Sequence, residues 1–181
     1  VSKWPSTLVN PTEYTFSGVL SPKQYGATVR LREKVAGSWV TVATTTTTIT
    51  GRYRITWSAP AIGKHRLRIT ASNSKGSKSS ATKVVTVVGR VAFTAPTTSP
   101  HGTPVTLNGT VAPALSGVTL IIERRRWGTW RRVAVTTTNG DGTWSYELST
   151  GTAPTSLKLR VRTIDPRIGR VSSRTRTIAI T

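Results

Sequence analysis

Between Ile121 and Val133 the chain reads IIERRRWGTWRRV, five arginines and two tryptophans in thirteen residues. Guanidinium groups match carboxylate and phosphate through two parallel hydrogen bonds. A tryptophan face adds a surface on which a sugar, a base or another guanidinium can stack. The chemistry this stretch suggests is the holding of an anion, with Trp127, Arg124, Arg126, Arg131 and Arg132 as the contact residues. More basic side chains belong with them. VRLRE (Val29–Glu33) and HRLRI (His65–Ile69) alternate apolar and charged residues, so Val29, Leu31, Leu67 and Ile69 point inward and Arg30, Arg32, Arg66 and Arg68 outward. LKLRVR (Leu157–Arg162) likewise turns Lys158, Arg160 and Arg162 outward beside Arg125, with Ile121 and Glu123 interrupting the basic face.

The whole chain carries 26 Lys and Arg against 6 Asp and Glu, a formal charge of +20 in 181 residues. Solubility needs far less, and like charges on adjacent strands repel, which suggests a gain elsewhere. The alternative is a solvated outer face in a composition that favours arginine. A field of this sign attracts an acidic glycan, a teichoic-acid-like polymer, nucleic acid without sequence preference or an anionic membrane, and does not choose among them. A disordered basic tail is excluded, because six Trp and many Val, Ile and Leu recur at regular spacing.

Catalytic chemistry finds no support. The acids Glu13, Glu33, Glu123, Asp141, Glu147 and Asp165 lie scattered, with no two placed as a glycosidase pair. His65 and His101 have no acid or second histidine at ligand spacing, so no metal is expected. No G-x-S-x-G motif occurs. NGDG (Asn139–Gly142) reads as a turn and not a calcium loop, since it holds one acid. There is no Cys, hence no disulfide or thiolate site. No cofactor is expected and the segment reads as non-catalytic. No apolar run is long enough to cross a membrane. Met is absent even from position 1, so Val1 is expected to mark a cut, which leaves open a signal peptide and further domains upstream.

The elements that position these residues come in two copies. Tyr14–Trp57 aligns without a gap on Val105–Leu148, every pair 91 positions apart, and superposes Gly18 on Gly109, Trp39 on Trp130 and Gly51 on Gly142. After one inserted residue RLRIT (Arg66–Thr70) matches KLRVR (Lys158–Arg162). Alternation with period two, Thr-, Val- and Ile-rich runs and frequent Gly and Pro predict about seven short strands per copy. The fold class is all-β, two tandem immunoglobulin-like antiparallel β-sandwiches, over 1–88 and 89–181. Tyr53, Ile55 and Trp57 should face the core, as should Trp144, Tyr146 and Leu148. Trp39 and Trp130, shared by both copies, are structural, in the core or over the hairpin. Trp127 aligns on Ala36, so the fold does not need it. Ile122 and Val133 should be buried, since their partners Leu31 and Val42 are apolar too.

FSGVLSPKQYGATVRL (Phe16–Leu31), GSWVTVATTTT (Gly37–Thr47) and GRYRITW (Gly51–Trp57), with their second-copy equivalents, resemble the bacterial Ig-like repeats of secreted and surface proteins of Gram-positive bacteria, actinobacteria above all. The strand-F tyrosine common in that family is absent. The resemblance implies an extracellular or cell-surface location and a place among other domains of a larger chain. It also implies a role as a binding or adhesion module, a spacer, or an accessory domain pair of a secreted enzyme.

Only Gly89 breaks VVTVVGRVAFTAP at the junction, and no flexible linker intervenes. An extended rod is expected. Small-angle scattering should return an elongated particle, and a compact globule would contradict the expectation.

Overall fold

The computed structural model describes residues 3–10, 13–73 and 76–181. The chain divides into two compact units, Val1–Val87 and Val88–Thr181. Each is built of strands in two sheets that face one another across an apolar core, and every secondary-structure element among the described residues is a strand.

The first unit contains β1 (Thr7–Val9), β2 (Glu13–Val19), β3 (Thr28–Val35), β4 (Ser38–Thr46), β5 (Arg52–Ser58), β6 (Gly63–Asn73), β7 (Gly76–Ser79) and β8 (Lys83–Val88). One sheet runs β1-β8-β6-β3-β4, with β7 also on β6, and the other pairs β2 with β5. Period-two alternation does what it must in a half-buried strand. Tyr53, Ile55 and Trp57 from β5 meet Val29 and Leu31 from β3, and Leu67 and Ile69 from β6. The arginines between them stay outside the core.

The second unit follows with β9 (Arg90–Thr94), β10 (Thr98–Ser99), β11 (Val105–Ala112), β12 (Thr119–Arg126), β13 (Thr129–Thr137), β14 (Thr143–Leu148), β15 (Thr155–Thr163), β16 (Val171–Ser172) and β17 (Arg176–Ile180). Its sheets are β10-β17-β15-β12-β13, with β16 on β15, and β14-β11-β9. Strand β10 runs parallel to β17. Trp144 is buried, and Tyr146 and Leu148 pack against the same core while staying partly open at its edge.

Several devices recur in both units. Gly18 lies opposite Tyr53, and Gly109 opposite Trp144, in their ladders. A Cβ on Gly18 would come within 2.4 Å of the Tyr53 hydroxyl, and one on Gly109 within 2.7 Å of the Trp144 ring. The glycine of each pair makes room for a large ring. Burial also raises the Tyr53 hydroxyl above its ordinary pKa of 10.0. Thr47, buried at the end of a threonine run, donates to the Gln24 carbonyl and accepts from the Ala27 amide. Thr138 does the same with the Leu115 carbonyl and the Val118 amide. Ser80 and Ser173 accept from the Ile69 and Val161 amides.

One expectation fails. Ile122 is fully buried but Val133 is 42% exposed, and Val42 is 37% exposed. The β12–β13 ladder shifts register between Ile122 and Glu123, pairing Ile122 with Ala134 and Glu123 with Arg132. Val133 is the extra residue of a β-bulge and is left out of the pairing. The β3–β4 ladder shifts at the equivalent point, between Leu31 and Arg32, and leaves out Val42.

The hairpin turns carry a second irregularity. Ala36–Gly37 and Trp127–Gly128 have positive φ at both residues, 47° and 87°, then 46° and 78°. Two-residue turns of this kind favour Asn, Asp or Gly first. A bulky residue in the left-handed region costs about 1–2 kcal/mol. Two tryptophans of one unit should therefore respond oppositely. Trp144→Ala should lower thermal stability by ~3–5 kcal/mol. Trp127→Asn should raise it by up to ~1 kcal/mol, read by denaturant unfolding followed by circular dichroism.

Candidate anion-binding site

The bulge decides where the shared tryptophans go. The extra residue in β4 puts Trp39 opposite Lys34, and the extra residue in β13 puts Trp130 opposite Arg125. Both rings therefore lie on the outer face of their sheet, half-buried, and not in the core. Each is stacked by an arginine from the neighbouring strand. The Arg68 guanidinium sits 4.0 Å from the centre of the Trp39 ring, and Arg160 sits 4.3 Å from Trp130. Arg125 approaches Trp130 from further out, at 6.0 Å.

On the first unit's outer face Arg32 lies directly opposite Arg68. Arg32 donates to the Trp39 carbonyl and Arg30 to the Ser72 hydroxyl. Arg66, two residues from Arg68, is exposed on the same side. The Nε atoms of Arg32 and Arg68 are shielded from solvent and have no hydrogen-bond partner. Residues 1–87 contain only two carboxylates, and neither serves this face. Glu13 accepts from Ser58. Glu33 is buried on the inner side of β3, 2.6 Å from His65 Nδ1.

The second unit repeats the face with one change. Glu123 stands where the first unit has Arg32, opposite Arg160. Its carboxylate accepts from Arg160 Nε and Arg162 Nε, each at 2.7 Å. Burial raises the Glu123 carboxyl, but the hydrogen bonds and charges of Arg162 and Arg160 outweigh it. They hold the group below its ordinary value of 4.5. The residue read from sequence as an interruption is thus the counter-charge of the face. Arg132, opposite Glu123, belongs to this side.

The remaining hairpin arginines part company. Arg131 pairs with Arg124, on the side away from Glu123. Arg124 and Arg126 line a cavity of about 330 Å³ with Val133, Tyr146, Leu148, Leu157 and Leu159. Burial, then the neighbouring charge of Arg126, lowers the Arg124 pKa. Trp127, at the tip, is 95% exposed. Side chains adjacent in sequence are therefore divided among an outer face, an inner cavity and a tip.

His65 also corrects the sequence reading, in which it has no acidic neighbour. Strand pairing brings Glu33 to its Nδ1, and Nε2 donates to the Ala61 carbonyl. The two side chains come from strands 32 residues apart. Both ring nitrogens are engaged, and the Trp57 ring meets the imidazole edge-on at 5.3 Å. No group of three or more His, Cys, Asp or Glu suited to a metal occurs among the described residues. Among them, too, no helix is long and apolar enough to cross a membrane.

No protein-family model matches the chain, and no curated protein sequence matches it. Solved structures resemble it at low identity. A tetra-tandem repeat from the extending region of a large adhesion protein shares 19% identity at a TM-score of 0.45. That match covers 92% of this chain, which spans 45% of the other. The D00-D0 domain of intimin shares 16% at 0.41, over 98% of this chain and 96% of that one. The D0-D1 domain of intimin shares 13% at 0.38, over 98% and 95%.

The Glu123 clamp has a pH signature. Because its folded pKa is depressed, Glu123 contributes stability above its unfolded value, and that contribution is lost as the pH falls through the folded value. Glu123→Gln should cost ~1–2 kcal/mol at neutral pH, allowing for the solvent exposure of both arginines. It should also remove part of the destabilisation of the parent chain below pH 4.5. Urea unfolding midpoints of the two chains between pH 2 and 7 (roughly the window in which a carboxylate titrates) check both outcomes.

Proposed function

We propose that the chain is a non-catalytic, extracellular binding or adhesion module. It holds an acidic polymer, a carboxylate-bearing polysaccharide, on the outer face of the first unit. The observation that carries this reading is the contrast between Arg68 and Arg160. They occupy the same repeat position and stack on the same tryptophan. The Nε of Arg160 donates to the chain's own Glu123, whereas the Nε of Arg68 and that of Arg32 have no partner. A polymer carboxylate would serve Arg32 and Arg68 as Glu123 serves Arg160 and Arg162. Arg30 and Arg66 extend the face along β3 and β6, each roughly 6.7 Å from the next arginine of its strand. Successive acid groups would then meet successive guanidinium groups. Stacking on Trp39 holds Arg68 in place beforehand, so less side-chain freedom is lost on binding.

Trp127 supports the same reading. A large apolar ring sits in the open, in a backbone conformation that disfavours it. Folding alone does not account for that choice. A sugar ring stacked on it would. Arg132, Arg160 and Arg162 add positive field, already reduced by Glu123.

The test is a binding panel of polygalacturonate, double-stranded DNA, a phosphate-rich wall polymer and uncharged dextran at several salt concentrations. Polygalacturonate should bind with an affinity that falls as salt rises, and dextran should not bind. Arg32→Ser with Arg68→Ser should weaken polygalacturonate binding about tenfold. Polygalacturonate bound no better than dextran, or undiminished binding in the double variant, would defeat the proposal. A preference for DNA or the phosphate polymer would replace the carboxylate ligand with a phosphate one.

A further inference from the structure

The cavity beneath the β12–β13 hairpin is separate from the outer face. Its cationic wall is Arg124 and Arg126, both on β12. Its other walls are Val133 from β13, Tyr146 and Leu148 from β14, and Leu157 and Leu159 from β15, with Ser149 and Gly151 at the rim. The second unit contains no acid that reaches it. Glu123 is committed to Arg160 and Arg162 on the opposite side of β12. Asp141 accepts from Thr143, and Asp165 from Arg167. Glu147 alternates with Tyr146 and Leu148 and so faces away from them. The Arg124 Nε is shielded from solvent and has no hydrogen-bond partner.

The first unit shows what this place in the fold does when its polar groups find partners within the chain. The equivalents of Arg124 and Leu157 are Glu33 and His65. They form the buried contact of 2.6 Å between carboxylate and imidazole. In the second unit one position has become a cation and the other a leucine, so the cation has no counterpart from its own chain. A guanidinium held partly out of water without an anion is unfavourable, and a ligand carrying the anion reverses that cost.

We propose that this cavity binds a small carboxylate with an apolar body, its two oxygens held by Arg124 and Arg126. A planar carboxylate suits the guanidinium fork. The apolar body suits Val133, Leu148 and the Tyr146 ring. At about 330 Å³ the cavity lies at the small end of ligand sites, the size of a single ring or a short branched chain. The reading does not depend on the polymer proposal.

The test titrates the isotope-labelled whole chain with benzoate, with benzamide and with inorganic phosphate, and follows the backbone amide resonances. Benzoate should give saturable shifts at Arg124, Tyr146, Ser149 and Gly151. Benzamide, alike in shape but neutral, should give none, and phosphate should bind at least tenfold more weakly. Arg124→Gln should weaken benzoate at least tenfold. Arg124→Glu with Leu157→His, which installs the first unit's pair, should abolish binding, and Arg124→Gln decides the matter if that double variant does not fold. Equal shifts with benzamide, equal affinity for phosphate, shifts confined to Arg32 and Arg68, or unchanged affinity in Arg124→Gln would each overturn the proposal. Benzoate binding should survive Arg32→Ser with Arg68→Ser, and polygalacturonate binding should survive Arg124→Gln, so the two sites fail separately.

Discussion

One extra residue in one strand sets the character of both basic faces. In an unbroken ladder Trp39 and Trp130 would share the side of Ala43 and Ala134, which pack on the cores. The bulge at Val42 and Val133 reverses the alternation beyond it and carries each tryptophan to the outside. There it becomes a platform for the arginine of the adjacent strand. Without that reversal Arg68 and Arg160 would extend over a bare sheet, and the ring would have to be fitted into a core already filled by Phe16 and Trp57 in one unit and by Phe93 and Trp144 in the other. The bulge thus converts a packing residue into a holder of charge.

The same scaffold then supports opposite electrostatics at each of two places. The first unit's outer face is cationic, with two guanidinium groups directly opposed. The second unit's outer face is internally balanced, because a single glutamate occupies the position of Arg32. The inner end of the sandwich is internally partnered in the first unit, through the hydrogen bond between Glu33 and His65, and cationic in the second, through Arg124. Each unit therefore closes one place with its own carboxylate and leaves the other positive. Duplication followed by exchange of a few residues on unchanged strands is sufficient to produce this: the outer positions lie off the packed core, and at the inner end His65 and Leu157 occupy one buried place beside Glu33 and Arg124.

Much of the fold was legible because its signals are local. Alternation in RLRIT or RYRITW needs only a few residues to be read, and the constant 91-residue offset needs only that turns and rings be retained. Trp127 could be singled out because the fold manages with Ala36 at its place. The arrangement of the site was less accessible, for two physical reasons. A bulge leaves no mark in composition, so the apolar match of Val133 with Val42 did not disclose that both drop out of their ladders and stay open to solvent. The charged contacts are also non-local. Glu123 meets arginines 37 and 39 residues away, and nothing in ERRRW discloses that its acid is already taken. Arg124 and Arg125, neighbours in the chain, serve opposite sides of one strand.

The threonine clamp bears on a different problem, that of fidelity in assembly. Residues 44–48 are five identical threonines, and a slip of two places along such a run exchanges like for like on both sides of the ribbon. A slip of two places would still set a threonine in the place of Thr47, so its bonds to the Gln24 carbonyl and the Ala27 amide tie the end of the strand to the neighbouring turn without choosing the alignment. What borders the run makes the choice. Trp39, the bulge at Val42 and Ala43 against the core hold places that no threonine of the run can fill, and Trp130, the bulge at Val133 and Ala134 do the same in the second unit.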